Sequence, residues 1–369
     1  MGPLFIGLMS GTSLDGVDGV LADIGPGGLR VLSHASRPLP SDLRAELLRL
    51  NTPGDNELHR AALAANALMR EYAAVVRQVL TDAAVPPRSV AAIGAHGQTV
   101  RHRPQAFDGT GYTLQLCQPA LLAELTGISV CADFRSRDVA AGGQGAPLAP
   151  FFHRAWLGAE GPTVGVLNIG GISNLSLLRP DGSLLGFDCG PGNALMDAWC
   201  ERHLGQPFDQ DGAWAAGGRV LPPLLDALLG DPYFSLAPPK STGRDLFHAD
   251  WLAAHLGHHA GAAPQDVQAT LAELTARCCA QDVLRLAPGL PALVVCGGGA
   301  LNTHLMRRLA ALLPGTRVQS SAERGLPPLQ VEAAAFAWLA NRTLTGETLP
   351  LESITGARGA RVLGCVYPA

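Results

Sequence analysis

The feature that most constrains the fold is a design that occurs twice. Residues 4–24 run from an apolar stretch (Leu4, Phe5, Ile6, Leu8) through Ser10, Gly11, Thr12, Ser13, Leu14, Asp15, Gly16 and Asp18, with apolar alternation at Val17, Val20, Leu21 and Ile24. Residues 163–178 repeat the pattern, with Asn168, Gly170, Gly171, Ser173 and Asn174 between two apolar runs. Each copy reads as two strands joined by a tight turn of small residues. An ordinary hairpin with Asx turns has the same composition. A bare turn also exposes backbone N–H groups to a bulky anion. The hydroxyls of Ser10, Thr12 and Ser13 can donate to phosphate oxygens, and Asp15 and Asp18 suit a hydrated Mg²⁺ that travels with phosphate. One hairpin at the head of each half predicts an internal duplication, and two such turns facing across a cleft could grip one polyphosphate.

A chain of 369 residues, 47% apolar, is too long for one simple core and predicts two lobes. A net charge of −4 gives no electrostatic reason to expect nucleic acid or an anionic membrane. No apolar run approaches the length of a membrane span, and the N-terminus lacks the basic region of a signal peptide. The eight cysteines form no C-x-x-C pair, so reduced thiols in a cytoplasm are expected, and zinc is not.

Taken in order, residues 57–80 carry apolar side chains on one helical face. A strand over 90–95 ends in Ala95-His96-Gly97-Gln98-Thr99, either a site rim or a turn with a satisfied histidine. A strand over 128–131 delivers Asp133, Arg135, Arg137 and Asp138, then a Gly-rich segment. That pattern is a surface charge cluster or a ligand-facing hinge, and the lobe boundary is placed there. The first lobe is 1–138, rejoined by 346–369, and the second is 139–345. Residues 184–187 read as a strand that ends at Asp188 ahead of Gly190-Pro191-Gly192. An aspartate there can point into a cleft with no local hydrogen bonds, the geometry of a general base; an Asx turn is the alternative. Lys240, the one lysine of the chain, lies in a loop-rich stretch where a solvated side chain is the plain expectation. A strand over 293–296 leads into Gly297, Gly298, Gly299 and Asn302, a platform for a flat ring or a ribose. Glu332 opens the last long helix, where a glutamate can simply answer the helix dipole.

The P-loop, G-x-G-x-x-G, G-x-S-x-G and H-E-x-x-H motifs are absent. The two phosphate hairpins, the Gly platform and the aspartate resemble the actin, sugar-kinase and Hsp70 ATPases. That resemblance implies an α/β fold with two RNase-H-like lobes and a central ATP cleft. The chain more specifically resembles the anhydro-N-acetylmuramic acid kinase family. The segments that carry the likeness are GLMSGTSLDGVD (7–18), AHGQT (95–99), DFRSRDVAAGGQGAPL (133–148), LNIGGISN (167–174), GFDCGPGN (186–193), KSTGRD (240–245), CGGGALN (296–302), VEAAAFAWLA (331–340) and TGA (355–357). The resemblance implies that ATP with Mg²⁺ phosphorylates O6 of 1,6-anhydro-N-acetylmuramic acid while water opens the bridge at C1, giving the 6-phosphate in peptidoglycan recycling. It assigns the water-activating base to Asp188 and the ATP contacts to residues 11–18, Gly170, Gly171, Ser173, Asn174, Gly297, Gly298, Gly299 and Asn302. It assigns sugar contacts to His96, Arg135 and Glu332, and suggests a homodimer. Cys189, Asp245 and Leu301 depart from the family pattern, where Thr, Glu and His are usual. The open alternatives are another sugar or acyl kinase, an ATP-switched binding module, or a glycosidase using Asp188 with Glu332.

Overall fold

The computed structural model describes residues 2–11, 14–158, 161–243, 246–257 and 261–369. Thr12 and Ser13, singled out above, and Arg244 and Asp245 of the 240–245 motif lie outside the described residues. The strands in chain order are β1 (Leu4–Met9), β2 (Gly16–Gly25), β3 (Gly28–Pro38), β4 (Val90–Ala95), β5 (Gln98–Pro104), β6 (Gly111–Leu116), β7 (Val130–Ala132), β8 (Val164–Ile169), β9 (Ile172–Leu178), β10 (Leu184–Pro191), β11 (Ala292–Cys296), β12 (Arg317–Ser320) and β13 (Cys365–Tyr367).

The duplication is visible in the strand pairing. In the first sheet β1, β2 and β3 form an antiparallel meander, and β4 and β7 add in parallel beyond β1. In the second, β8, β9 and β10 form the meander, and β11 and β12 add in parallel beyond β8. Counted from its own first strand, each sheet therefore has the order 3-2-1-4-5, with β13 as an extra antiparallel edge on β7 in the first. The fold class expected from the sequence, α/β with two lobes built alike, is the one found.

The chain divides into two compact units, Met1–Gly158 with Leu329–Ala369, and Ala159–Pro328. In the first unit the sheet is covered on both faces. Ile6 and Leu8 join Leu68, Met69, Tyr72 and Val76 of the helix Glu57–Asp82 in one core. The intervening Gly7 meets the helix Val331–Thr345, and so does Gly94 of β4. A Cβ on Gly7 would stand 1.8 Å from the Ala333 carbonyl oxygen, and one on Gly94 would stand 2.0 Å from that of Phe336. Both clashes are with backbone, which cannot step aside. Gly94→Ala is therefore expected to cost about 3 kcal/mol or more and to lower the thermal midpoint by roughly 6–12 °C. Calorimetry checks this, and an unchanged midpoint would mean the helix can shift freely.

The same packing corrects the boundaries drawn from sequence. Segments 139–158 and 329–345 belong with the first unit, not the second. The helix Val331–Thr345 closes the first sheet, and Phe152 of the helix Ala149–Leu157 lies 6.3 Å from Trp338 between ring centroids. The Gly-rich stretch after Asp138 is pinned rather than hinged. The buried Asp138 carboxylate accepts the Gly145 N–H at 2.6 Å and the Thr355 hydroxyl at 2.5 Å.

In the second unit Leu167, Ile169, Leu175, Leu177, Phe187 and Cys189 pack with the helix Pro264–Leu286 in a single core. Residues alternate along a strand, so Asn168, Asn174 and Asp188 occupy the opposite face of that sheet. They are direct cross-strand partners, Asn168 with Asn174 and Asn174 with Asp188.

Candidate active site

In the first unit the connection from β1 to β2 runs from Ser10 to Asp15, longer than the tight turn expected. The 95–99 motif buttresses it. Ser10 Oγ donates to the Gly97 carbonyl at 3.1 Å and lies 3.0 Å from Tyr72 Oη, and Gln98 Nε2 donates to the Gly11 carbonyl at 3.1 Å. Ser10 is thereby committed to holding the loop and is not available to phosphate. Leu14 takes a left-handed φ of 58°, and its side chain is buried in the core with that of Val17. These two positions, expected at the nucleotide, can offer it only backbone. Asp15 is exposed, while Asp18 Oδ1 stands 3.5 Å from His34 Nε2. An exposed carboxylate suits a hydrated Mg²⁺. Asp18 is partly exposed and would reach such an ion by giving up its approach to His34.

His96, Arg135 and Glu332 all fall in the first unit. His96 follows β4 and is buried, with the Phe336 ring 4.7 Å away. Arg135 Nη2 and Nε approach His96 Nε2 at 3.0 and 3.2 Å, and Arg135 Nη1 donates to the Gly145 carbonyl at 2.8 Å. Arginine can only donate, so Nε2 accepts and the imidazole is neutral with its proton on Nδ1. Burial, aided by the Arg135 charge, pushes the His96 pKa down to about 3. Glu332 lies one helical turn before Phe336, on the same side of the helix.

In the second unit Gly170 and Gly171 alone join β8 to β9. The Gly170 carbonyl accepts the Asn193 N–H at 2.8 Å, and the Gly171 carbonyl accepts the N–H groups of Gly192 and Ala194 at 2.9 and 3.2 Å. With its carbonyls committed, what the turn can offer an anion is N–H groups. The Gly platform is fixed beside this turn. Gly297 has φ +75°, and a Cβ there would stand 2.6 Å from the Ile169 carbonyl oxygen, so only glycine fits. Two expected nucleotide contacts are otherwise engaged. Ser173 is fully buried, with Oγ 3.5 Å from the Pro191 carbonyl, and Asn302 Oδ1 caps the helix Thr303–Leu312 by accepting the Leu305 N–H at 2.9 Å.

Asp188 is half-buried, and the strand does not end there. β10 continues to Pro191 through a bulge at Cys189, where the register slips between Asp188 and Gly190. Bulges re-aim side chains and are common beside active sites. The carboxylate is nonetheless held from a distant segment: Asp188 Oδ2 accepts the Thr242 N–H at 3.0 Å. The Asp188 N–H donates to the Lys240 carbonyl at 3.1 Å, and its own carbonyl accepts the Tyr233 hydroxyl at 2.7 Å. The strand-end reading missed these partners because they come from a loop distant in sequence. Thr242 and Lys240 lie inside a quoted motif, whereas Tyr233 lies in none. A carboxylate fixed at three points of its residue can act as an oriented proton acceptor.

Among the described residues no helix is long and apolar enough to cross a membrane. A sequence model of the family described as anhydro-N-acetylmuramic acid kinase matches residues 3–369. The chain is 66% identical over 373 residues to the anhydro-N-acetylmuramic acid kinase of Variovorax paradoxus (strain S110), with 100% of both chains covered. It is 62% identical over 389 residues to the enzyme of that name from Albidiferax ferrireducens, again with 100% of both covered. With that of Cupriavidus pinatubonensis the identity is 57% over 370 residues, covering 100% of this chain and 99% of the relative. Matches of this extent, over the segments that hold Asp188 and both glycine-rich turns, place the chain in the anhydro-N-acetylmuramic acid kinase family.

Proposed function

We propose that the protein phosphorylates O6 of 1,6-anhydro-N-acetylmuramic acid with ATP while water opens the anhydro bridge, in the recycling of peptidoglycan in the cytoplasm. Family membership supports the substrate and the reaction type. The observation that carries the mechanism is the fixed carboxylate of Asp188. Asp188 takes a proton from water as the water oxygen bonds to C1. The C1–O6 bond breaks and its electron pair remains on O6. O6 then bonds to the γ-phosphorus, and the bond to the bridging oxygen of ADP breaks. Water is a poor nucleophile, and a positioned base typically contributes about 10²–10⁴-fold.

Within the second unit the phosphates are assigned to the N–H groups of the turn at Gly170 and Gly171 and the adenosine to Gly297–Gly299; the 11–18 segment is the first unit's candidate for phosphate contact. The exposed Asp15 carboxylate would hold a hydrated Mg²⁺, which would supply charge neutralisation for phosphoryl transfer. The Arg135 guanidinium, aimed by His96 and Gly145, suits the lactyl carboxylate of the sugar. Glu332 can accept from sugar hydroxyls.

Incubation with Mg²⁺-ATP and the anhydro sugar in ¹⁸O-water is expected to give a 6-phosphate with ¹⁸O at C1, read by mass spectrometry. Ring opening without ATP would mark a glycosidase, and no turnover of this sugar would indicate a kinase for another acceptor.

A further inference from the structure

Lys240 is the one lysine of the chain, and its loop of Pro, Ser and Gly predicts a solvated side chain. The side chain is instead 2% exposed, with Nζ 3.3 Å from Asp282 Oδ2. Nζ also lies 4.9 Å from the ring centroid of Tyr233 and 5.6 Å from that of Phe187. Asp282 is 5% exposed and is held on its other oxygen by Arg285 at 2.5 Å. A buried pair of this kind loses hydration that its mutual attraction only roughly offsets, so net stability is a poor reason for it.

Its neighbours supply a better one. The Lys240 carbonyl accepts the Asp188 N–H, and two residues on, the Thr242 N–H holds Asp188 Oδ2. Tyr233, whose ring carries the ammonium, donates its hydroxyl to the Asp188 carbonyl. Backbone N–H, backbone C=O and carboxylate of residue 188 are thus each held by Lys240, by the residue two positions on in the loop, or by the tyrosine whose ring faces the ammonium. β10 is also the edge strand of its sheet. A loop segment laid on an edge by two hydrogen bonds opens at little cost unless something anchors it.

We propose that Lys240 is a positioning residue for Asp188: its buried pair with Asp282 pins residues 240–242 along β10 and so sets the carboxylate in one orientation. This rests on the reading of Asp188 as the base.

The test compares the full chain with the paired variant Lys240→Met/Asp282→Leu, with Lys240→Met alone and with Asp188→Asn. Replacing both charges by apolar groups is close to neutral for stability, so the paired variant is expected to keep its thermal midpoint within about 3 °C and its ATP Kd within about 3-fold. Loss of alignment is expected to lower kcat by about 10–100-fold with little change in KM for the sugar, and to raise deuterium exchange in peptides covering 238–243. Lys240→Met alone removes the anchor and leaves Asp282 paired with Arg285, so no buried charge is left uncompensated. It is expected to move kcat in the same direction, which keeps the inference testable if the paired variant folds poorly. Unchanged kcat in the paired variant, or a fall matched by weaker ATP binding and a general rise in exchange, overturns the positioning role. If Asp188→Asn is inactive while the paired variant is fully active, this inference alone fails. If Asp188→Asn turns over normally, the base reading fails and Lys240 has no base to position.

Discussion

Asp188→Asn is expected to lower turnover by about 10²–10⁴-fold while the Kd for ATP, measured by calorimetry, changes by less than about 3-fold. The substitution is close to isosteric, so the amide oxygen can still accept the Thr242 N–H, and the backbone bonds to Lys240 and Tyr233 do not depend on the side chain. What is lost is the ability to take a proton from water. The nucleotide is assigned to the glycine-rich segments, which pack beside one another through Gly297 and Ile169 without using the Asp188 side chain. A selective loss of kcat is therefore the signature of a base. Weakened ATP binding would instead make Asp188 part of the nucleotide site, and turnover retained within about 10-fold of the parent would remove it from the chemistry.

How much of this was legible depended on the range of the interaction. The two hairpins are readable because alternation at period two and small-residue turns are local signals, and their repetition predicts an internal duplication; the common strand order of the two sheets is seen only in the structure. The limits of the units are not readable. Gly7 and Gly94 are small because a helix more than 200 residues away crosses them, and neither glycine announces its partner. Asp188 was recognisable as a residue, but its surroundings were not, since Thr242, Lys240 and Tyr233 reach it only after the loop folds back on β10. Within the motifs, adjacency misled. Leu14, Val17 and Ser173 flank the turns, yet strand alternation turns the side chains of Val17 and Ser173 inward, and the left-handed backbone of Leu14 goes with a side chain in the core. A motif marks which segment is at the site; backbone geometry decides which atoms face it. The Asp138–Thr355 contact likewise explains the otherwise unassigned TGA segment, whose threonine pins the loop that carries Gly145.

The first unit is expected to lose stability steeply as pH falls below about 6.5, well before ordinary carboxylates titrate. Burial lowers the pKa of both His96 and His153 from 6.5 to about 3. In the unfolded chain both recover the ordinary value. Between the two values the unfolded state holds protons that the folded state does not, so stability rises with pH across that window and is lost as pH falls through it. The stabilisation is fully present above the unfolded value. Each histidine contributes a slope of about 1.4 kcal/mol per pH unit, and the two together give roughly 2.7. Asp138 works in the opposite direction, since burial raises its pKa and its protonated form is the better tolerated one. Urea unfolding followed by tryptophan fluorescence at about pH 7.5, 6.5 and 5.5 reads the effect, and His153→Gln should roughly halve the slope. Stability that is flat across this range would mean the histidines are charged in the folded state, which would also displace Arg135, because a protonated His96 Nε2 cannot accept from it. The same linkage reaches function. A His96 that stays neutral leaves Arg135 as a fixed cation, so the KM for the acidic sugar should show no histidine-like step near pH 6.5.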